Sequence, residues 1–217
     1  MSGKINLLVL LGAPGSGKGT VAQHLAERYD ICYFSTGNLL RNEVKEKTDL
    51  GRKVEAILEA GNLVGDDVMN EMVKTNIEKV AASGKVILLD GYPRTKNQAE
   101  VLDKVAAADS IRVIELDVDA DEVVARISKR RVCAKCGATY GPMDKAEVCS
   151  CGGELIKRTD DEESVVRNRL NTYKEKTLPV SAYYSDRIIK ICGKGTPEEV
   201  ARKVNDCLRG LGIEKRR

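Results

Sequence analysis

A glycine-rich stretch near the start of the chain carries the residue types that bind phosphate. Residues 12–20 read Gly-Ala-Pro-Gly-Ser-Gly-Lys-Gly-Thr, between the apolar segment Ile5–Leu11 and a helical pattern that begins at Lys18. Glycines let backbone N–H groups face phosphate oxygens, a helix N-terminus attracts negative charge, and a lysine reaches the β- and γ-phosphates. The stretch predicts a nucleotide phosphate site, against the alternative of a turn without a ligand, at Gly15, Ser16, Gly17, Lys18, Gly19 and Thr20.

The spacing after the lysine departs from the usual pattern of such loops. A Ser or Thr normally follows the lysine directly and holds Mg²⁺ through its hydroxyl. Here Gly19 intervenes before Thr20. We therefore expect the metal to be held more loosely, largely through water.

Four cysteines form a second chemical signal, arranged as Cys133-x₂-Cys136 and Cys149-x-Cys151. Four thiolates at this spacing predict a structural zinc site. The short second pair can supply both sulfurs, because alternate residues of an extended chain share a face. An iron ion or free thiols remain alternatives, and a disulfide is disfavoured in a reducing compartment. The remaining cysteines, expected to be small core residues, are Cys32, Cys192 and Cys207.

Strands and helices alternate along the chain in a way that would position these segments. Apolar runs predict strands at Ile5–Leu11, Ile31–Phe34, Val86–Asp90, Ile111–Leu116 and Ile188–Cys192. Amphipathic patterns predict helices at Lys18–Arg28, Thr36–Lys47, Leu50–Ala60, Asp66–Ala82, Thr95–Ala107, Ala120–Arg131, Glu162–Tyr184 (bent before Pro179) and Pro197–Leu211. The alternation predicts an α/β fold, a parallel sheet with helices on both faces, and residues 132–157 form an insert outside that sheet.

Three further segments accompany the glycine-rich stretch. Residues 35–41 read Ser-Thr-Gly-Asn-Leu-Leu-Arg, and residues 90–94 read Asp-Gly-Tyr-Pro-Arg with Gln98 shortly after. The third contains Arg126, Arg130 and Arg131 before the cysteines, and Arg158, Asp160, Asp161 and Arg169 after them. From about Leu7 to Leu208 the chain resembles the nucleoside monophosphate kinases, and among these the adenylate kinases. The resemblance implies a P-loop core at 1–34, 65–128 and 162–217, a helical NMP-binding segment at 35–64, and a metal-bearing lid at 129–161.

The resemblance also implies a role for individual residues. It implies transfer of the ATP γ-phosphoryl group to AMP, giving two ADP, with the catalytic cations Lys18, Arg94, Arg130, Arg158 and Arg169. It places ATP on residues 15–20, Arg126, Thr139, Tyr140 and Gly195, with Arg131 on the same side. It places AMP on Thr36, Arg41, Asn62, Leu63, Val64, Gly91, Tyr92, Pro93, Arg94, Gln98, Arg158 and Arg169. Asp90 would orient Mg²⁺ through water, and Gln98 would pair with adenine as donor and acceptor at once.

Two positions differ from the family's usual residues. Asn38 stands where the family usually has Asp, and Gly65 stands where it usually has Pro. Gly65 is expected to loosen the junction between the NMP-binding segment and the core. That change would alter dynamics without removing a contact.

The chemistry implied by the resemblance agrees with the residue types present. The attacking α-phosphate oxygen of AMP is already anionic at pH 7, so no general base is needed, and the chain has a single histidine, His24. Two polyanions must instead be positioned and neutralised. Arginine suits this task because its planar guanidinium pairs with phosphate in a bidentate way. By default Lys129 and Arg187 are expected to lie on the surface.

Composition limits the remaining classes of function. The 217 residues include 36 Lys and Arg against 33 Asp and Glu, a net charge of +3, which argues against a protein that coats polyanions. No apolar run approaches the ~20 residues that span a bilayer, and no export signal is evident. We expect a cytoplasmic monomer that serves adenine nucleotide homeostasis and binds neither membranes nor nucleic acid. The alternatives are a kinase for another acceptor, such as UMP, CMP or a small-molecule hydroxyl, and a nucleic-acid-binding zinc ribbon on a nucleotide switch.

Overall fold

A five-stranded parallel sheet lies at the centre of the protein, whose computed structural model describes residues 6–216. The strands in this range are β1 (Leu7–Leu11), β2 (Ile31–Ser35), β3 (Val86–Asp90), β4 (Ile111–Asp117), β5 (Arg131–Cys133), β6 (Thr139–Tyr140), β7 (Leu155–Ile156) and β8 (Ile188–Cys192). The central sheet has the order β2–β3–β1–β4–β8, and each neighbouring pair is parallel. All five predicted core strands are therefore present, although Ile5 lies outside the described residues.

Helices connect these strands and cover both faces of the sheet. They are α1 (Lys18–Arg28), α2 (Thr36–Lys45), α3 (Asp49–Glu59), α4 (Asp66–Ala81), α5 (Lys96–Ala106), α6 (Ala120–Ser128), α7 (Glu163–Thr172), α8 (Leu178–Tyr183) and α9 (Pro197–Gly210). The predicted α/β class is confirmed. No helix within residues 6–216 is long and apolar enough to cross a membrane.

Alternate residues of the central strands supply two separate cores. In β1, Leu7, Val9 and Leu11 pack against a cluster that includes residues of α2 to α5 and α8. Leu8 and Leu10 point the other way, into a cluster that includes residues of α1 and α9. Because successive side chains of a strand point to opposite faces, a strand buried on both sides must be apolar throughout. This explains the unbroken run of Leu and Val in β1.

The cysteine-containing insert, residues 132–157, forms its own small sheet. Strand β5 pairs antiparallel with both β6 and β7. The predicted helix Ala120–Arg131 ends earlier than expected, at Ser128, because Arg131 already belongs to β5. The insert is therefore separate from the central sheet, as the sequence predicts, but it contains more regular structure than its pattern indicated.

The predicted long helix Glu162–Tyr184 is divided by a wider turn. α7 ends at Thr172, a π-helical turn covers Tyr173–Thr177, and α8 follows with Pro179 in its first turn. Proline is tolerated in a first turn because its missing N–H would have no partner inside the helix. The irregularity therefore lies before the proline, as expected, and occupies a full turn.

The exposure predicted from the sequence is wrong for two residues, Arg187 and Cys192. Arg187 is partly buried rather than freely exposed: its Nη2 donates to Asp103 Oδ2 at 2.6 Å, and its guanidinium lies 4.9 Å from the centre of the Tyr184 ring. Cys192 is exposed at the end of β8, whereas Cys32 and Cys207 are partly buried. β8 is the edge of the sheet, so its end is covered less than the ends of the inner strands.

Candidate active site

The glycine-rich loop lies between β1 and α1, at the carboxyl edge of the sheet. Gly15 has φ +80°, and a Cβ atom there would lie 2.6 Å from Ile127 Cγ1, so only glycine fits without displacement. Gly17, the residue before α1, adopts the left-handed conformation, and no side chain caps the helix. The N–H groups of the first helical turn therefore remain available for an anion.

The Lys18 side chain folds back across this loop. Its Nζ donates to the carbonyl oxygens of Gly12 and Ala13 at 2.7 and 2.8 Å. Burial in the cleft, together with neighbouring arginines, lowers the pKa of Lys18 to about 8, and Asp90 only partly opposes this. The Lys18 ammonium therefore lies beside a loop whose backbone N–H groups can bind phosphate oxygens.

The second functional strand end is that of β3, directly beside the loop. Asp90 ends β3 opposite Leu10 of β1, because the two strands are parallel and in register. The Tyr33 hydroxyl donates to Asp90 Oδ2 at 3.1 Å. Burial, followed by the Asp90 charge, raises the pKa of Tyr33, so its hydroxyl keeps its proton. Asp90 is thus a fixed carboxylate beside the phosphate loop.

A cavity of about 230 Å³ opens at this edge, and its walls are strongly cationic. Two carboxylates, Asp90 and Asp144, contribute to the lining. Within residues 6–216 the lining also includes seven cationic residues: Lys18, Arg41, Arg94, Arg126, Arg130, Arg158 and Arg169. Burial, followed by repulsion from its arginine neighbours, lowers the pKa of Arg41. This concentration of positive charge in a partly buried space favours a polyanionic ligand.

Two neighbouring aspartates, the partly buried Asp160 and the buried Asp161, hold several of these arginines in place. Arg130 Nε donates to Asp161 Oδ2 at 2.8 Å, and Arg158 Nε donates to Asp160 Oδ1 at 2.7 Å. Arg169 reaches both carboxylates, at 3.1 and 3.4 Å. Burial alone would raise the pKa of Asp160, but the surrounding guanidiniums lower it far below its usual range. The sequence motif contained these aspartates without indicating that they position the arginines.

A second, smaller cavity of about 60 Å³ adjoins the first. Arg41, Arg94, Arg158 and Arg169 line both. Other residues of the smaller cavity include the predicted AMP residues Thr36, Asn62, Leu63, Val64, Gly91 and Gln98. The four arginines therefore mark the boundary at which the ligands of the two cavities would meet.

The remaining predicted ATP residues surround the larger cavity from several elements. Arg126 Nη2 donates to the carbonyl of Gly193 at 2.8 Å and also forms an ion pair with Glu122. Thr20, Thr139 and Gly195 line the cavity, as do residues 15–19 and the predicted AMP residue Pro93.

Three predicted residues lie away from the walls. Tyr92 is buried, and its hydroxyl donates to Asn70 Oδ1 at 2.7 Å, with the Gln98 carbonyl oxygen 3.1 Å away, so it supports the site from behind. The Tyr140 hydroxyl accepts from the backbone N–H of Ser150 at 3.3 Å, inside the insert. Arg131 Nη2 donates to the Asp144 carbonyl at 2.9 Å. None of the three is among the lining residues of either cavity.

The insert lies over the larger cavity. Residues Gly141 to Asp144 contribute to its lining, and a Cβ on Gly137 would lie 3.3 Å from Asn38 Nδ2. Lys45 Nζ donates to the Ala134 carbonyl at 3.1 Å. The insert therefore contacts the segment that begins at residue 35, and residues of both line the cavity. The sequence did not single out Met143, which also lines it.

The four cysteine sulfurs converge in the insert. The sulfurs of Cys133, Cys136, Cys149 and Cys151 all lie within 4.8 Å of one another. Two pairs, Cys133–Cys151 and Cys136–Cys149, are 3.5 Å apart without a disulfide bond. Tetrahedral zinc with Zn–S bonds of ~2.3 Å requires separations of about 3.8 Å. The thiolate set therefore fits a structural zinc ion, and the shortened second pair does not prevent convergence.

His24 takes no part in either cavity. Its ring nitrogens hydrogen-bond Arg28 and Asn205 at 2.8 and 3.1 Å, behind the phosphate loop. Among the described residues, the cavity walls contain cations, carboxylates and backbone groups but no histidine. The site is suited to holding and neutralising two phosphate-bearing ligands.

Comparison with known proteins agrees with this geometry. A family model described as "Adenylate kinase" matches residues 10–189. An adenylate kinase of Caldicellulosiruptor bescii is 41% identical over 215 residues, covering 95% of this chain and 99% of the relative. Adenylate kinases of Thermosipho africanus and Streptomyces coelicolor are 42% and 41% identical, and the matches cover 93% of this chain and 99% and 98% of the relatives. Over most of its length, and with the phosphate loop and arginine cluster in place, the chain belongs to the adenylate kinase family.

Proposed function

We propose that the chain transfers the γ-phosphoryl group of Mg-ATP directly to AMP, producing two ADP. The observation that carries the proposal is the shared arginine wall. The phosphate loop lines the larger cavity, and Gln98 and Thr36 line the smaller one. Four arginines line both cavities: Arg41, Arg94, Arg158 and Arg169. Two nucleotides bound in these cavities would present their phosphates to the same guanidinium groups.

The placement of these residues supports a separate role for each group. The phosphate loop and Lys18 hold the β- and γ-phosphates of ATP, with Arg126, Thr139 and Gly195 on the same side. Arg41 and Arg94 hold the AMP phosphate, and Arg130, Arg158 and Arg169 neutralise the group in transfer. Because the AMP oxygen is already anionic, catalysis depends on alignment and charge neutralisation, and no side chain removes a proton.

The oxygen donors beside the loop fit a magnesium ion. Asp90 and Thr20 line the larger cavity, and carboxylate and hydroxyl oxygens suit this metal, which usually retains several waters. Mg²⁺ bound with ATP neutralises charge on the β- and γ-phosphates. We assign to Asp90 the orientation of that metal, through water, and its own orientation depends on the Tyr33 hydroxyl.

The cysteine-containing insert is suited to act as a lid. We propose that residues 129–161 close over ATP and that residues 35–64 close over AMP, with the rest of the chain as a core. Closure excludes water, which would otherwise accept the phosphoryl group. In the present arrangement the insert contacts Asn38 and Lys45, which supports a closed state. The four cysteines would hold zinc and stabilise an insert too small for an apolar core.

We further predict that the chain acts as a monomer and that it works in the cytoplasm as part of adenine nucleotide homeostasis.

An acceptor panel tests the proposed reaction. Purified protein is incubated with Mg-ATP and AMP, UMP, CMP or GMP, and the diphosphates are quantified by chromatography. We expect rapid ADP formation with AMP alone, loss of turnover in Lys18→Met, and normal turnover in Lys79→Met, an exposed residue of α4. Preference for another acceptor would retain the phosphate site and reject the base assignment, and turnover by Lys18→Met equal to the unmodified protein would reject the site.

A further inference from the structure

The carboxamide of Gln98 is held from both ends by groups of fixed hydrogen-bonding character. Gln98 is buried and lines the smaller cavity. Its Nε2 donates to Asp66 Oδ1 at 2.8 Å, and its Oε1 accepts from the backbone N–H of Arg94 at 2.7 Å. Asp66 lies 32 residues earlier in the chain, at the start of α4.

Only one orientation of this carboxamide satisfies both partners. An ionised carboxylate can only accept, and a backbone N–H can only donate. Rotating the carboxamide by 180° would place Oε1 against the Asp66 oxygen and Nε2 against the Arg94 N–H. Both hydrogen bonds would then be replaced by repulsive contacts in a buried place. The orientation is therefore determined by the network.

Asp66 is itself held in position. Its Oδ2 accepts from the Thr95 hydroxyl at 2.8 Å, so both carboxylate oxygens have partners. Thr95 is the residue before α5, and its hydroxyl also accepts from the Gln98 backbone N–H at 3.1 Å. The first turn of α4 and the start of α5 are thus joined through one carboxylate, which fixes where that carboxylate faces Gln98.

We propose that Asp66 is a positioning residue that selects the acceptor base through Gln98; this rests on the proposed function. After its two protein partners, Gln98 retains one N–H on Nε2 and one lone pair on Oε1. Adenine presents a matching edge, with an amino donor at position 6 and an acceptor at N1. Hypoxanthine, of nearly the same shape, presents the reverse: an oxygen acceptor at position 6 and an N1–H donor. A carboxamide free to rotate would accept either base, whereas one fixed by Asp66 together with the Arg94 N–H accepts adenine.

Replacement of Asp66 by its uncharged isostere tests this role. Asp66→Asn can offer either an acceptor or a donor to Gln98, so it keeps the shape of the side chain and leaves only the Arg94 N–H to oppose the reversed orientation. The measurement is kcat/KM for AMP and for inosine monophosphate, each with saturating Mg-ATP, alongside the melting temperature. We expect kcat/KM for AMP divided by kcat/KM for inosine monophosphate to fall about tenfold. A polar group left buried without a partner costs free energy of the order that separates the two bases by this factor. The loss for AMP should appear mainly in KM.

Two further variants separate positioning from structure. Asp66→Ala leaves Gln98 without its acceptor and should lower the same ratio at least as far as Asp66→Asn. Asp67→Asn removes the same charge from the same helical turn at an exposed position, and its ratio should equal that of the unmodified protein.

The outcomes distinguish the inference from the reaction itself. If both Asp66 variants reduce kcat/KM for the two acceptors in equal proportion, the ratio is unchanged, and Asp66 has only a structural role. If Asp67→Asn lowers the ratio as much as Asp66→Asn, charge at the start of α4 is responsible and the contact with Gln98 is not. Failure of the unmodified protein to phosphorylate AMP would reject the proposed function instead.

Discussion

Gly65 stands where the adenylate kinase family usually has proline, next in the chain to Val64 of the smaller cavity. Replacing it by proline provides a quantitative test of how the backbone conformation at this junction affects stability. Gly65 precedes α4 with φ −53° and ψ 144°. Proline prefers φ near −65° and tolerates the entrance of a helix. A Cβ atom at this position would have no heavy atom within 4 Å, and within residues 6–216 its N–H donates no backbone hydrogen bond. Gly65→Pro should therefore be accommodated without strain.

The expected gain comes from the unfolded chain, which loses conformational freedom when proline replaces glycine. At a compatible position this stabilises a protein by about 0.4–1 kcal/mol. For a chain of this length each kcal/mol raises the melting temperature by about 2–4 °C, so we expect an increase of about 1–4 °C. The assay is thermal unfolding without nucleotide, followed by circular dichroism and by calorimetry.

Gly84 supplies the matched control. A Cβ atom on Gly84 would also have no heavy atom within 4 Å, but its φ is +68°, which proline cannot adopt. Gly84→Pro should lower the melting temperature, and Gly65→Pro should keep kcat/KM for AMP within about twofold, since no contact is removed. A lower melting temperature for Gly65→Pro would refute the reasoning, because it would show that the junction needs a conformation only glycine adopts.

Three other measurements test the site. The value of kcat/KM for ATP should fall as pH rises through about 8. Burial lowers the pKa of Lys18 to about 8, so its positive charge is lost above that pH. A kcat/KM that stays constant up to about pH 9.5 would contradict this prediction. Gly15→Ala should weaken ATP binding and stability more than Gly84→Ala, because a Cβ at Gly15 meets Ile127 at 2.6 Å whereas Gly84 is open, and equal losses would show that φ strain alone matters. The protein should bind one zinc ion per chain, and Cys149→Ser should lose the metal and melt earlier, whereas Cys192→Ser, at an exposed thiol outside the cluster, should do neither; metal retained by Cys149→Ser would reject the four-thiolate site.

Elements encoded by local pattern were predictable. The phosphate loop follows from one strand, one turn and one helix contiguous in the chain, and the five core strands follow from apolar runs bounded by turns. The cysteine cluster was also predictable, because thiolates so close in sequence can reach one metal ion. In each case the deciding interactions join residues near each other in the chain.

Contacts between distant segments could not be predicted in the same way. Arg187 has an ordinary surface composition around it, yet Asp103 and Tyr184 enclose it. Tyr92 belongs to a family binding motif, yet its hydroxyl points to Asn70, behind the cavity. Which side of a residue faces a cavity depends on how helices from separate parts of the chain pack against the sheet.

Local pattern is enough to predict the fold class, the phosphate loop and the cationic residue types, because apolar periodicity and glycine placement act over a few residues. The pairing of carboxylates with cations and the orientation of the Gln98 carboxamide depend instead on tertiary packing. Asp161 meets Arg130 across 31 residues, and Asp66 meets Gln98 across 32. Those pairings arise when packing of the core brings charged and polar groups out of water, where each must find a partner of complementary character.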